Sequence, residues 1–291
     1  MGQNVKSQIT VHSGVKGGSY YKIANDIRKI STGTVVVKNT IGSYLNLKEL
    51  SAGNLAFLQY DVLQNELLLD ILKIRNKTDS IKIVLPLAQE EIHLIARSNA
   101  DNSITSLADL FDRTVAIGSE NTGTSLTATS IKAITGVEWN DSKLSVKAAI
   151  SALIKGNIDA FFFVSSSPVD QFKVFSQLPP SDNITYRLIP IKNRKLDEYY
   201  ARTIIKKGTY DWADYDVETY AVRSIIITNT TGETDAQRKE LIQLLTDIKN
   251  NKLKLAKSGH KKWKEMTFNF QPFINDEWNI YEGSKKVFNL R

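Results

Sequence analysis

The sequence contains no cysteine, which excludes disulfides, thiolate metal ligands and a cysteine nucleophile. It has only three histidines, His12, His93 and His260, which are far apart and form no HxH or HxxxH pair. The acidic residues also lack the spacing of a metal site, so neither a metal nor another cofactor is expected. Because the scattered histidines leave no apparent nucleophile–base pair and no phosphate-binding P-loop pattern is present, the chain is predicted not to be an enzyme.

Long apolar runs are also missing, since the longest, around residues 160–164 and 224–228, have the length of strands. No basic start followed by an apolar segment is present, so a signal peptide of an exported protein is expected to be absent from this sequence. The net charge of +7 is compatible with nucleic-acid binding. However, the lysines are spread through the chain, and the densest basic stretch, residues 252–264, includes Leu253, Leu255 and Trp263. A solvated helix end accounts for it better, and no nucleic-acid partner is predicted.

The 291 residues, 42% apolar and 24% charged, are ordinary for a globular protein and long enough for about two domains. Within them, residues 115–128 have the pattern of a strand, a polar glycine loop and a helix. Such a loop presents backbone N–H groups and hydroxyls at the positive end of a helix, which suits the carboxylate or phosphate of a small ligand. The alternative is a helix cap alone, with Thr124 or Ser125 satisfying its own helix.

A second loop of this kind lies about a hundred residues earlier. Residues 9–13 form an apolar alternation, residues 14–19 are rich in glycine, and Ile23, Ile27 and Ile30 then follow at helical spacing. Two helix N-termini, each preceded by a polar glycine loop, can face one ligand. We therefore predict a ligand cleft between them.

Strands alternate with helices in residues 9–61, which predicts a largely parallel sheet with ligands outside the carboxyl ends of its strands. Residues 17–20, Ser43 and residues 59–61 follow such ends, and three serines starting at Ser165 follow another, although a plain loop is the alternative there. The aromatic-rich segment 263–289 is predicted to pack over the first lobe.

Further strands are predicted at 35–37, 56–61, 81–88, 91–97, 158–164, 187–191 and 218–228. Further helices are predicted at 45–53, 106–110, 145–155 and 235–257, and a polar turn at 98–105.

Several of these motifs occur in the order found in one family. They are Gly17-Gly18-Ser19-Tyr20-Tyr21, Gly42-Ser43 with Asn46-Leu47, Gln59 with Asp61, Leu107-Ala108-Asp109-Leu110, Gly118 through Thr122-Gly123-Thr124, and Gly156 with Asp159-Ala160-Phe161-Phe162. Together they resemble the TAXI solute-binding proteins, which serve tripartite ATP-independent periplasmic (TRAP) transporters. The resemblance covers residues 9 to about 245.

The resemblance implies an α/β protein with the type II periplasmic-binding-protein fold, in which two α/β lobes are joined by two crossing strands. With crossings at residues 93–97 and 220–227, lobe 1 would comprise residues 1–94 and 226–291 and lobe 2 residues 95–225, with the ligand between them. Family members are thought to bind small carboxylates such as glutamate or 2-oxoglutarate. The ligand-binding positions that the resemblance and the strand-end pattern indicate are Gly18, Ser19, Tyr20, Ser43, Asn46, Gln59, Asp61, Thr122, Gly123, Thr124, Ser125 and Ser165.

The chain departs from the family pattern at Ser19 and Thr122, where many relatives have threonine and serine, and in the loop of residues 115–128 also at two charged positions: Ser125 replaces a basic residue, and Glu120 replaces a small residue or proline. Arg223 is therefore predicted as a replacement cation, a solvent-facing hinge residue being the alternative. Lys16 and Arg97 are further candidates. If the ligand is an amino acid, Asp61 or Glu120 can pair with its ammonium group.

The function expected from this resemblance is that of a periplasmic or extracytoplasmic binding protein. It would be a monomer that closes on a small carboxylate or amino acid and delivers it to TRAP membrane permease subunits. The alternatives are a ligand-sensing domain of a receptor or regulator with the same fold, and an enzyme on a similar two-lobed fold.

Overall fold

The computed structural model describes residues 8–73, 78–99, 103–179 and 183–290. These residues divide into two compact units: unit 1 comprises Met1–Ala88 and Arg223–Arg291, and unit 2 comprises Gln89–Val222. The strands are β1 (Ile9–His12), β2 (Val35–Lys38), β3 (Leu55–Gln59), β4 (Ile81–Ser98), β5 (Thr114–Ala116), β6 (Asn140–Ser142), β7 (Ala160–Ser165), β8 (Thr185–Leu188), β9 (Ala201–Ile205) and β10 (Val217–Asn229). The boundaries of the two units fall inside β4 and β10, so these two strands contribute residues to both.

Helices follow most of the strands. They are α1 (Ser19–Ile30), α2 (Ser43–Lys48), α3 (Tyr60–Ile71), α4 (Gly123–Thr135), α5 (Val146–Lys155), α6 (Val174–Gln177), α7 (Asp235–Asn250), α8 (Lys252–Ser258), α9 (Gln271–Asn275) and α10 (Glu282–Phe288). Short 3-10 helices occupy Leu107–Leu110, Asp170–Lys173, Arg194–Glu198 and Lys261–Lys264.

The sheet of unit 1 has the order β2-β1-β3-β10-β4. Strands β1, β2 and β3 are parallel, which confirms the prediction for residues 9–61, whereas β10 is antiparallel to β3. Because the three parallel strands share one carboxyl edge, the helices that follow them all begin there. The aromatic tail belongs to unit 1 as predicted: Phe270 and Phe273 are buried, and Ile280 forms a bridge with Ile83 of β4.

In unit 2, β7 lies between β4 and β5, and β6 is at the edge. Strands β5, β6 and β7 are parallel, and β4 is antiparallel to β7. The sheet is buried on both faces, because successive residues of β7 enter different cores: Phe162 packs with Ala128 and Ile131 of α4, whereas Phe161 packs with Leu153 of α5.

Three predicted boundaries are wrong. The strands predicted at 81–88 and 91–97 are one strand, β4, because the polar pair Gln89-Glu90 continues the extended backbone and Glu90 is itself buried. The helix predicted at 235–257 is two helices with Asn251 between them. Strand β3 ends at Gln59, since Tyr60 and Asp61 form the first turn of α3, where an acidic residue is favourable.

Other differences are smaller. Helix α2 ends at Lys48, before the predicted stop at Gly53, and the strand predicted at 187–191 is β8, which ends at Leu188. Of the turn predicted at 98–105, residues 100–102 lie outside the described residues. Helix α5 agrees with its prediction: Ser145 caps its N-terminus, and Gly156 ends it with a left-handed φ of 75°.

Candidate functional site

Three helices begin at the carboxyl edge of the parallel strands of unit 1, and none of them has a side-chain cap. The residues at their N-cap positions are Gly18 for α1, Gly42 for α2 and Gln59 for α3, and no side chain there accepts a hydrogen bond from the first turn. In contrast, Thr122 caps α4 and Thr234 caps α7. The positive ends of α1 and α3, each 12 residues long, are therefore directed to one edge of the sheet with no side chain capping them at the N-cap position, and Asp61 adds an acidic group in the first turn of α3.

Gln59 adds a buried polar group at this edge. Its side chain is 4% exposed, and its backbone N–H donates to Ser43 Oγ at 3.0 Å. Its side-chain oxygen Oε1 is buried and accepts no hydrogen bond from the part of the chain that the structure describes. A buried acceptor left in this state costs about 1–3 kcal/mol, so a bound group with an N–H or O–H donor would relieve that cost.

Ser43 and Asn46 hold the loops of this edge together. Ser43 is 2% exposed, and Asn46 is fully buried. The Asn46 amide donates to the carbonyl oxygens of Phe57 (2.8 Å) and Ser13, and its oxygen accepts from the hydroxyl of Thr40. These side chains thus have structural partners, and ligand contact by either of them stays a prediction.

The other predicted residues of the first loop begin α1. Gly18 and Ser19 are partly exposed, and Tyr20 is 9% exposed with its ring 5.1 Å from that of Phe57. Lys16 is exposed in the same loop. Tyr20 therefore packs on β3, whereas Ser19 keeps an accessible position beside the first turn of α1.

Arg223 and Asp61 also lie at this edge. Arg223 precedes Ser224, which pairs with Gln59. Its Nη1 atom is 3.9 Å from Asp276 Oδ2, which also accepts a 2.7 Å hydrogen bond from the hydroxyl of the buried Tyr60. Burial, followed by the hydrogen bond to Asp276, raises the pKa of Tyr60 well above its usual value. Asp61 is partly buried in the first turn of α3.

In unit 2, the loop between β5 and α4 is tightly built. Gly118 has a left-handed φ of 91°, and a Cβ atom there would lie 3.1 Å from Thr122 Oγ1 and from Thr124 Cβ. Thr122 is the N-cap: its hydroxyl donates to Ser119 O at 2.7 Å and accepts from Ser125 N at 3.3 Å. The alternative considered from the sequence, a cap at Thr124 or Ser125, thus names the wrong residue, because the helix begins earlier than its apolar pattern does.

Thr124 connects this helix start to the neighbouring strand. Its Oγ1 accepts the backbone N–H of Val164 at 3.1 Å, and Ser165 follows as the last residue of β7. Gly123 is buried, whereas Ser125 and Ser165 are partly exposed. The structure thus brings the Thr122–Ser125 turn close to the end of β7, and ligand contact by these residues stays a prediction.

Two charged candidates of unit 2 have other surroundings. Glu120 is exposed and pairs with Lys143 at 2.5 Å, which lowers the pKa of Glu120 and offsets its negative charge. The guanidinium group of Arg97 lies beside Gly156. Arg97 follows Ala96 in β4, and Ala96 pairs with Ala160, the first residue of β7. Ser165 is the last residue of this six-residue strand, so about 17 Å separates it from Ala160, the end of β7 near Arg97.

Sequence reasoning missed a cluster around His93. His93 is fully buried, and its Nε2 lies 3.0 Å from Ser167 Oγ and 2.8 Å from the hydroxyl of Tyr210. Its Nδ1 faces the carbonyl oxygens of Glu91 and Phe163, which fixes the proton of a neutral ring on Nδ1. The scattered positions of the histidines gave no sign of this serine–histidine contact, and only the fold, which places residues 74 positions apart side by side, reveals it.

The geometry of this cluster differs from that of a hydrolase. Two hydroxyls compete for the single lone pair of His93 Nε2, and the backbone N–H of Ser167 donates to Glu91 Oε2 at 2.8 Å, so that it does not point at a substrate oxyanion. Among the described residues, no group of three or more His, Cys, Asp or Glu side chains could hold a metal ion. None of the described helices is long and apolar enough to cross a membrane.

Two solved structures share this fold. The ligand-binding core of GluR0 in complex with L-glutamate is 11% identical, with 89% of this chain and 98% of that chain covered and a TM-score of 0.51. MatC from Rhodopseudomonas palustris with bound malate is 12% identical, with 85% and 88% covered and a TM-score of 0.50. The protein has the type II periplasmic-binding-protein fold, built from two α/β units connected by two strands. Its sequence matches the model of the NMT1-like family over residues 11–275, and the chain belongs to that family.

Proposed function

We propose that this protein is an extracytoplasmic solute-binding protein that captures a small carboxylate: glutamate, a related amino acid, or a 2-oxo or dicarboxylic acid. The observation that carries the proposal is the carboxyl edge of unit 1, where the uncapped N-termini of α1 and α3 meet the buried oxygen of Gln59. A carboxylate is favoured at such helix ends. An amino or hydroxyl group beside it would donate to Gln59, which favours amino and hydroxy acids.

In this proposal, the second unit contributes the start of α4. The accessible hydroxyls there are those of Ser125 and Ser165, whereas Thr122 and Thr124 hold the turn in place. A solute that contacts both units only when they close would stabilise the closed state. Pairing of Glu120 with Lys143 removes the unfavourable charge that the sequence places near this turn.

Delivery to TRAP-type permease subunits is the transport step that the TAXI resemblance supports, and the binding protein would act as a monomer without a cofactor. Receptor or regulator sensing is the alternative, since the fold is shared with the ligand-binding core of GluR0. Both proposals require ligand binding without turnover.

The test is native mass spectrometry of gently purified protein, combined with thermal shifts against amino acids, dicarboxylates and 2-oxo acids. A ligand at a hundred times its dissociation constant adds about 2.7 kcal/mol, which should raise the midpoint by roughly 5 to 10 °C. No shift from any of these compounds would contradict the carboxylate assignment.

A variant links the shift to the site. Gln59→Leu removes the unsatisfied oxygen and should leave the free energy of unfolding equal or higher while it weakens solute binding at least about tenfold. The matched control is Gln171→Leu at an exposed position of unit 2, which should leave the affinity unchanged. Equal affinity in Gln59→Leu and the wild type would remove this edge from the site.

A further inference from the structure

Two segments of unit 1 carry the net charge of the whole protein. Helix α1 and residues 252–264 together contain nine Lys and Arg residues and one Asp, a formal charge of +8, whereas the entire chain carries +7. The rest of the chain is therefore close to neutral. Lysines occur throughout the chain, but the net charge is concentrated in these two segments.

The fold brings these two segments into contact. Asp26 of α1 accepts hydrogen bonds from the backbone N–H of His260 at 2.6 Å and from Trp263 Nε1 at 3.2 Å. Lys22 and Lys29 lie one helical turn before and after Asp26, on the same side of α1. The turn that carries Lys261 and Lys264 is thus fixed beside these two lysines.

The one acidic residue does little to neutralise the cations. Asp26 is 8% exposed and is occupied by the two donors from the turn, with Lys29 Nζ 3.5 Å away. Burial, and after it the nearby charges of Lys22 and Lys261, lowers the pKa of His260 to about 4. Burial is the larger cause of this shift, and the lysine charges act in the same direction because a positive neighbourhood disfavours the protonated imidazole.

Helix α8 presents an apolar side chain among these charges. Leu255 faces inward and is 3% exposed, whereas Leu253 is 86% exposed between Lys252 and Lys254. Lys254 and Lys257 are also exposed. We call the basic surface the set of Lys22, Lys29, Lys254, Lys257, Lys261 and Lys264.

We propose that the basic surface binds a bilayer containing anionic phospholipids, with Leu253 entering the headgroup region. Lysines near an anionic membrane are each attracted by its negative surface potential, and they need no defined pairing geometry. Eight of the nine cations are lysines, whereas recognition of a protein carboxylate or a nucleic-acid phosphate by bidentate pairing favours arginine. Trp263, the one tryptophan of the segment, is fully buried, so it offers no stacking platform for a base.

The experiment is vesicle flotation of the full chain with phosphatidylcholine vesicles, with and without phosphatidylglycerol. We expect strong partitioning onto the anionic vesicles at low salt, little onto phosphatidylcholine alone, and loss of binding near 1 M salt, where charges are screened beyond about 3 Å. The triple variant Lys254→Gln, Lys257→Gln, Lys264→Gln should reduce the partition coefficient at least about tenfold. Leu253→Ser should reduce it by about fivefold without changing the charge.

The control is Lys147→Gln, Lys155→Gln, Lys195→Gln, which removes the same charge from exposed positions of unit 2. It should retain most of the binding, and all variants should unfold at the wild-type temperature because the substituted side chains are exposed. Equal binding to both vesicle types would overturn the proposal. Equal losses in the two triple variants would reduce it to a net-charge effect and overturn the assigned surface, and absence of vesicle binding would leave an acidic protein partner as the alternative.

Discussion

The hydroxyl of Thr124 accepts the backbone N–H of Val164 at 3.1 Å, so the first turn of α4 is attached to the end of β7 by a side chain. This bond gives Thr124 a structural role, whereas its neighbour Ser125 uses its backbone, which donates to Thr122 and accepts from the hydroxyl of Thr129. The two hydroxyls of one loop are thus separable by experiment.

Thr124→Ala should lower the free energy of unfolding by about 1–2 kcal/mol, because the buried N–H of Val164 loses its acceptor. Ser125→Ala should change stability by less than about 0.5 kcal/mol and should weaken solute binding. Denaturant unfolding and titration of each variant with the solute found by native mass spectrometry separate these effects. Unchanged affinity in Ser125→Ala would remove this hydroxyl from the site.

Gly118→Ala should destabilise the protein more than Gly17→Ala does. Both glycines have left-handed φ angles, of 91° and 86°, so both variants bear the backbone penalty of about 1 kcal/mol. Only at Gly118 would the added Cβ crowd Thr122 and Thr124, whereas at Gly17 it meets no atom within 4 Å. Urea unfolding should show an additional loss of about 1 kcal/mol for Gly118→Ala, and equal losses would contradict the tight loop geometry.

Stability should fall in mild acid because of His260. Burial lowers the pKa of this residue from 6.5 to about 4, so the unfolded chain binds a proton that the native protein does not. The contribution is complete above about pH 6.5 and is lost as the pH falls toward 4, by about 2 kcal/mol after allowance for solvent screening. His260→Asn keeps an acceptor for the N–H of Lys262 and should show a flatter profile of unfolding free energy between pH 7 and 4.5. Parallel profiles would assign the acid sensitivity to other groups.

Arg223 and Tyr60 share Asp276 but should respond differently to substitution. Arg223→Gln removes an exposed pair at 3.9 Å and should change stability by less than about 0.5 kcal/mol. Tyr60→Phe breaks a 2.7 Å hydrogen bond of a buried hydroxyl and should cost about 1 kcal/mol. If Arg223 is the replacement cation, only its variant loses affinity for a carboxylate at unchanged stability, as measured by calorimetric titration. Unchanged affinity would leave it as a solvent-facing hinge residue.

Ser167 should not behave as a catalytic nucleophile despite its contact with His93. The hydroxyl of Tyr210 competes for His93 Nε2, and the backbone N–H of Ser167 donates to Glu91 Oε2 instead of pointing at a substrate oxyanion. A fluorophosphonate probe should therefore leave the protein unlabelled. Labelling that disappears in Ser167→Ala would instead support the enzyme alternative.

The strand-end pattern predicted much of the fold because parallel strands, helix starts and glycine loops are local features. The carboxyl edge of β1 to β3 and the caps of α5 both follow from short stretches of sequence. The sequence predicts two strands in place of β4 because Gln89 and Glu90 are polar and interrupt the apolar pattern. Nothing in the sequence indicates that Glu90 is buried inside a continuous strand.

The sequence predicted where the candidate site residues lie in the fold but not their hydrogen-bond partners. Asn46 and Thr124 are at the expected edges, yet each is bonded to residues that only the fold brings close, Phe57 and Val164. The same limit hid the contact of Ser167 with His93. The basic surface could not be predicted either. Helix α1 and residues 252–264 are far apart in sequence, and only the tertiary structure brings them together at Asp26.

Strand β10 lies between β3 and β4 in the sheet, although the chain makes it roughly 120 residues after β4 ends. During synthesis, unit 2 is translated as one continuous stretch. The sheet of unit 1 cannot be completed until β10 and the residues after it have been translated. At about 5–20 residues per second, that delay amounts to several seconds in which β3 has an open edge. The order of translation therefore makes the sheet of unit 1 the last part of the nascent chain to be completed, and until then the open edge of β3 is exposed to pairing with other strands.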